Sequence, residues 1–93
     1  MSDYSIYILR CVDGSLYTGI AVDVDKRIRE HESGIRGAKY LRGKRPLKLE
    51  FEQKIGDRSA ALRAEHQVKS LDRPGKEDLL AGRFSLDDLL ARI

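Results

Sequence analysis

The sequence predicts a single α/β (α+β) domain in which a three-stranded, mainly antiparallel sheet carries flanking helices. Three observations predict it. Two runs rich in Ile and Tyr flank an Asp13-Gly14 turn, a third run alternates apolar and charged residues over Leu47 to Ile55, and stretches with helix caps and helical spacing separate and follow them. At 93 residues the chain has room for one modest core and none for a second. We read residues 1–93 as one domain, with a core over about 3–72 and a C-terminal helical extension over about 73–93.

Tyr4 to Cys11 and Ser15 to Ile20 read as strands, joined as a hairpin. Loop length decides which side chains share a face, because one residue of register moves every side chain across the sheet. A two-residue loop would put Tyr7 and Tyr17 on opposite faces. A three-residue loop, Val12-Asp13-Gly14 with Gly14 in the left-handed region, pairs Leu9 with Tyr17. It then places Ser5, Tyr7, Tyr17 and Gly19 on one face and Ile6, Ile8, Leu16 and Ile20 on the other, which sorts polar-aromatic from aliphatic residues and is preferred.

Asp23 is the expected N-cap of a helix running to about Ser33, with Gly34 ending it. Val24 and Ile28 are its aliphatic residues, and Arg27 and His31 fall in the same arc, so both polar side chains point inward. Gly34 to Leu49 holds Arg36, Lys39, Arg42, Lys44, Arg45 and Lys48 with no acidic residue, and its glycines and Pro46 predict a loop with one helical turn around Ala38 to Leu41. Leu47, Leu49, Phe51 and Ile55 then alternate with Lys48, Glu50, Glu52 and Lys54, the pattern of a strand with one face in water. Asp57 can cap a helix from Arg58 to about Leu71, whose inward arc is Ala61, Ala64, Val68 and Leu71 with Glu65 in its middle. Pro74-Gly75 is expected to end that element. A short helix over Lys76 to Ala81 and a capping-box start at Ser85 and Asp88 complete the chain.

Hydrophobic residues make up 41% and charged residues 35%, and a formal charge of +3 with a pI near 9.2 favours polyanionic partners. No apolar run approaches the roughly 20 residues needed to cross a bilayer, and the N-terminus lacks the order of a signal peptide, so the cytoplasm is the expected compartment and no membrane partner is expected. The single cysteine, Cys11, excludes an internal disulfide and reads as a packing residue.

An ionised carboxylate in one apolar arc, and an arginine and a histidine in another, need partners. Glu65 could pair with Arg27 across two helices lying on one sheet face, as a structural ion pair. Alternatively, the polar groups of both helices line one pocket with the tyrosines, and Glu65 is a hard oxygen ligand for Mg²⁺ or Mn²⁺. Each residue also has an ordinary reading: strands favour tyrosine, a histidine near a helix C-terminus gains from the dipole, and a basic run can be a solvated loop.

Ser5-Ile6-Tyr7, Tyr17-Thr18-Gly19, Arg27 ten residues beyond Tyr17, and a later helix with Ala64-Glu65-His66 together resemble the GIY-YIG nuclease domain. The resemblance spans essentially the whole chain, and Gly37-Ala38-Lys39 and Gly56-Asp57-Arg58-Ser59 look like its small, stand-alone bacterial branch, the UPF0213-like group. It implies hydrolysis of a DNA phosphodiester with one divalent ion, Mg²⁺ or Mn²⁺. Glu65 would hold the metal, Arg27 would neutralise the phosphate, Tyr7 or Tyr17 would deprotonate or orient water, with Tyr7 preferred as base, and His31 would assist. Ser5 stands where the first motif has glycine and Thr18 where the second has isoleucine. Many members carry an asparagine beyond the glutamate helix; this chain has none, and Glu77 lies near that place.

The expected activity is that of a metal-dependent DNA endonuclease, structure-selective or nonspecific, in repair or recombination, acting on branched, nicked or duplex DNA. Its phosphate-steering loop would use Arg36, Lys39, Arg42, Lys44 and Arg45, with Tyr40 stacking on an unpaired base or anchoring the core. The alternative is a non-catalytic or weakly catalytic nucleic-acid-binding accessory module. Family nucleases usually carry a second domain for DNA targeting, so specificity here is expected from a protein partner, from a homodimer, or from DNA shape. A third reading is an interaction domain whose leucine-rich C-terminus pairs with itself or with a larger enzyme.

Overall fold

The computed structural model describes residues 3–34 and 41–91. In chain order these form β1 (Tyr4–Arg10), β2 (Leu16–Ala21), α1 (Val24–Ser33), β3 (Lys48–Gly56), α2 (Arg58–Lys69), α3 (Arg73–Leu80) and α4 (Leu86–Leu90). The sheet has three strands in the order β2-β1-β3, with both ladders antiparallel.

The hairpin takes the three-residue loop. Leu9 faces Tyr17 and Tyr7 faces Gly19, while Gly14 adopts φ +84, the left-handed conformation that a side chain disfavours. The Asp13 carboxylate accepts from the Ser15 amide at 3.0 Å and the Ser15 hydroxyl at 2.6 Å, fixing the turn from inside.

Two cores lie on the two sheet faces. Ile6 and Ile8 pack with Ala64 and Val68 of α2, Leu79 of α3 and Leu86 and Leu89 of α4. Tyr7, Leu9, Cys11 and Ala21 pack with Val24 of α1 and with Leu41. The segment after residue 72 therefore contributes to the central core, and Leu86 and Leu89 are spent there rather than on an outer surface. Cys11 is buried, as a packing residue should be.

Caps place the helices. Asp23 accepts from the Lys26 amide at 3.0 Å and Gly34 closes α1 at φ 78. Asp57 accepts from the Ala60 amide at 2.8 Å, and Ser85 and Asp88 form a capping box. Two boundaries differ from expectation. α2 ends at Lys69, where the Ser70 hydroxyl turns back to the His66 carbonyl at 2.8 Å. Pro74-Gly75 lies inside the first turn of α3, not before it, because Asp72 caps that helix and a proline there forfeits no hydrogen bond.

β3 departs from a simple period-two strand. Ile8 faces Phe51 but Leu9 faces Leu49, so Glu50 is bulged out of the ladder. The bulge sends Leu47 to the Tyr7 core and Phe51 and Ile55 to the Ile8 core, and leaves Leu49 exposed. The expected helical turn at Ala38 to Leu41 falls, apart from the buried Leu41, outside the described residues. Among the described residues no helix is long and apolar enough to cross a membrane.

Replacing Gly14 by alanine tests the turn. Nothing lies within 4 Å of the added methyl, so the cost is backbone strain alone. Chemical denaturation should show a loss of about 1 kcal/mol for Gly14→Ala and a smaller one for Gly14→Asn, since asparagine tolerates the left-handed region. Equal stability of all three would argue against the left-handed turn.

Candidate active site

The hairpin register sets Tyr7 and Tyr17 side by side on the face that α1 covers. Their ring centroids are 6.4 Å apart, and His31 from α1 lies 6.2 Å from the Tyr7 ring and 5.5 Å from the Tyr17 ring, edge-on to the latter. The Tyr7 hydroxyl and His31 Nε2 form a buried hydrogen bond of 3.0 Å. Tyr7 is 1% exposed and His31 2%, so the pair is sealed from bulk water, while Tyr17 is half-buried. The inward arc expected of α1 is present.

Gly19 makes room for this. A Cβ there would stand 2.5 Å from the Tyr7 hydroxyl oxygen and 2.7 Å from its Cζ. The phenol thus lies directly over the glycine of the second tyrosine motif.

Electrostatics follow from burial. Burial pushes the Tyr7 phenol up to about 12, with Tyr17 adding to the rise and the Arg27 guanidinium opposing it. Tyr17 is raised for the same first reason, again opposed by Arg27. Burial, then the nearby Arg27 charge, lowers His31, so its imidazole is neutral near pH 7. Arg27 is 32% exposed along its side chain, pairs with Glu30 at 3.0 Å within α1, and turns its charge on both phenols.

Glu65 corrects one expectation. α2 packs on the Ile6 and Ile8 face, opposite α1, so the two helices do not share a face and the proposed structural pair across them is replaced. Arg27 pairs with Glu30, and Glu65, with 20% of its side chain exposed, pairs with Lys69 one turn on at 3.5 Å. Glu65 is nonetheless near enough for its charge to raise both phenols. This follows from strand order: β2 is the outer strand, so groups from the two faces meet around its free edge. A cleft of about 380 Å³ lies there, lined by Leu16, Tyr17 and Thr18 of β2 with Lys69 and Lys76 of α2 and α3.

Among the described residues no three His, Cys, Asp or Glu side chains converge as a ready-made metal cage. Glu65 alone fits a hard divalent ion of the Mg²⁺ type, which keeps most of its waters and takes one protein carboxylate plus substrate oxygens. Glu77 is committed elsewhere. It binds Arg10 through both oxygens at 3.0 and 2.8 Å and Arg73 Nε at 2.9 Å, and those contacts, the Arg10 bonds first, hold its carboxyl down at about 2.

Of the expected DNA contacts, Arg36, Lys39 and Tyr40 lie outside the described residues. Arg42 is exposed. Lys44 meets Asp13 at 3.4 Å, and Arg45 donates to the Glu32 carbonyl. Lys69 and Lys76 join the site without being among the residues that the sequence marks out. Lys69 carried a signal, standing four residues beyond Glu65 on one helix. Lys76 carried none, because its spacing marks only a helix start, whereas α3 begins at Arg73.

The family described as GIY-YIG catalytic domain matches residues 3–78. A UPF0213 protein of Klebsiella pneumoniae is 48% identical over 88 residues, covering 95% of this chain and 82% of that protein. The UPF0213 protein YhbQ of Escherichia coli is 46% identical over 93 residues, covering 100% of this chain and 92% of the other. The solution NMR structure of a UPF0213 protein from Bacillus halodurans superposes with a TM-score of 0.57 at 40% identity, covering 98% of this chain and 96% of that one.

Two outcomes are expected of this geometry. Tyr7 gains stability from staying protonated, which is complete below pH 10 and lost as pH rises toward 12. Denaturant titrations should show the wild type losing roughly 1–1.5 kcal/mol between pH 9 and 11 relative to Tyr7→Phe; parallel curves would remove the buried phenol. Gly19→Ala should displace the Tyr7 ring and cost about 1–3 kcal/mol by overpacking. A Gly19→Ala protein whose His31 side-chain NMR signals match the wild type would show that the ring does not lie there.

Proposed function

This chain belongs to the GIY-YIG catalytic domain family, a nuclease superfamily, and on that premise we propose that it is a metal-dependent DNA endonuclease. It hydrolyses phosphodiester bonds in a structure-selective or sequence-indifferent manner, in cytoplasmic DNA repair or recombination, with a protein partner or a second copy adding specificity. The observation that supports this best is the gathering of two phenols, a neutral buried imidazole and a guanidinium on one sheet face, with the Glu65 charge acting on both phenols.

Phosphoryl transfer needs positioning and charge stabilisation more than covalent help. Arg27 offers a planar fork to two phosphate oxygens beside the phenols. Glu65 would hold one Mg²⁺ or Mn²⁺, and when bound that ion polarises the phosphoryl group and acidifies water. Tyr17, half-buried at the cleft, orients the attacking water. As the water oxygen bonds to phosphorus and the bond to the leaving oxygen breaks, the water proton passes to the Tyr7 oxygen while the Tyr7 proton moves to His31 Nε2, and the leaving oxygen takes a proton from solvent water. Such a relay needs no free phenolate, which a phenol held at about 12 could not supply near neutral pH. His31 accepts because it is uncharged there.

A second reading, a nucleic-acid-binding accessory module, is favoured by the commitment of Glu77 to two arginines, which leaves Glu65 as the one carboxylate whose charge acts on the phenols among the described residues.

Nicked, flapped, branched and plain duplex DNA, incubated with Mg²⁺, Mn²⁺ or chelator, separate the two. Products should require metal, and Glu65→Gln and Arg27→Ala should each slow cleavage by about 100-fold or more. The rate should decline on acidification as His31 protonates, and His31→Gln should flatten that limb. Binding by every variant with no product in any metal would establish the accessory reading instead.

A further inference from the structure

The cleft on the free edge of β2 brings to Tyr17 two lysines that the chemistry described above does not use. Lys69 of α2 and Lys76 of α3 enter it from the helical side, and Tyr17 and Thr18 enter it from the strand. Lys76 is partly buried and, among the described residues, has no ion-pair partner; a cation in that setting is stabilised by an anion brought from outside. Lys69 touches Glu65 at 3.5 Å, beyond a strong hydrogen bond, so its ammonium keeps donors for a second oxygen. The acidic neighbours are already engaged: Glu77, beside Lys76, is gripped by Arg10 and Arg73, and Asp72 caps the Gly75 amide at 2.8 Å. Arg73 also donates to the Gly14 carbonyl at 2.7 Å, which ties α3 to the hairpin and fixes where Lys76 stands.

We propose that this cleft is a track for the DNA backbone, with Lys69 and Lys76 each contacting a phosphate flanking the bond that lies at Tyr17. The proposal rests on the endonuclease reading and names the surface on which its substrate lies. Two of the loop cations expected to do this are engaged within the chain, Lys44 with Asp13 and Arg45 with the Glu32 carbonyl, whereas the cleft lysines open directly onto the phenol. Phosphate contacts of this kind position a duplex without reading its sequence.

The test measures binding without cleavage. Fluorescence anisotropy of a labelled duplex, in chelator and across a salt series, is compared for the wild type, Lys69→Gln, Lys76→Gln, the double variant and Lys54→Gln. Lys54 is an exposed lysine on β3, the opposite edge strand, and its replacement removes the same charge. Each cleft variant should weaken low-salt binding by about 3- to 10-fold, and the double variant should reduce the slope of log affinity against log salt by about 2, near 0.9 per lost contact. A double variant indistinguishable from Lys54→Gln would overturn the cleft while leaving the endonuclease reading intact. A wild type that binds no duplex at any salt would overturn both.

Discussion

The hairpin register is the constraint on which the site depends. Gly14 in the left-handed region allows a three-residue loop, and that loop makes Leu9 face Tyr17 and Tyr7 face Gly19. A slip of one residue would leave the same strands and the same turn but turn one set of tyrosine, glycine and aliphatic side chains through the sheet. Tyr7 would lose His31, Gly19 would no longer lie beneath a phenol, and aliphatic residues would meet the polar side of α1. The aliphatic face and the site are thus fixed by one choice, because Ile6 and Ile8 can fill the α2 core only while Tyr7 points away from it.

Strand order supplies the second condition. With β1 in the centre, both faces of the sheet are covered and the middle is apolar, a poor place for charge. The outer edge of β2 is different. It admits water, so Arg27 and Glu65 come within electrostatic range of the phenols from opposite layers while each stays partly solvated and ion-paired within its own helix. Burial is graded accordingly, with the neutral Tyr7 and His31 sealed inside and the charged groups at the rim. That gradient keeps the imidazole uncharged and the phenol protonated with no buried ion left unpaired.

Much of this was legible in the sequence because it is local. Asp23, Asp57, Ser85 with Asp88, and Gly34 act within one turn of themselves, and each caps the helix expected of it. Hairpin parity could be read because the two loop lengths sort aliphatic and polar residues differently. Long-range facts were not legible. Nothing in the spacing of Glu65 says which face α2 will cover, and the bulge at Glu50 depends on what the neighbouring strand and its two cores demand. Pro74-Gly75 looks like a helix breaker wherever it stands; only Asp72, capping from two residues earlier, reveals it as a first turn.

The position of Glu77 shows how one carboxylate can be withdrawn from a site to build it. Its two arginines come from the end of β1 and the start of α3, and Arg73 continues to the Gly14 carbonyl, so one group ties the hairpin turn to the C-terminal helices. A carboxylate held by three charge-assisted hydrogen bonds is a poor competitor for a metal ion, since releasing it would strand two guanidinium groups. On the proposed reading Glu65 must then act alone, and an ion held by one protein carboxylate takes the rest of its shell from water and from the phosphate being cut. Metal and substrate would therefore bind together more tightly than either alone, and the shell that stabilises the transition state would be complete only when DNA is in place. On that reading such coupling would restrain hydrolysis of phosphates that cannot complete the arrangement, because the substrate itself would assemble it.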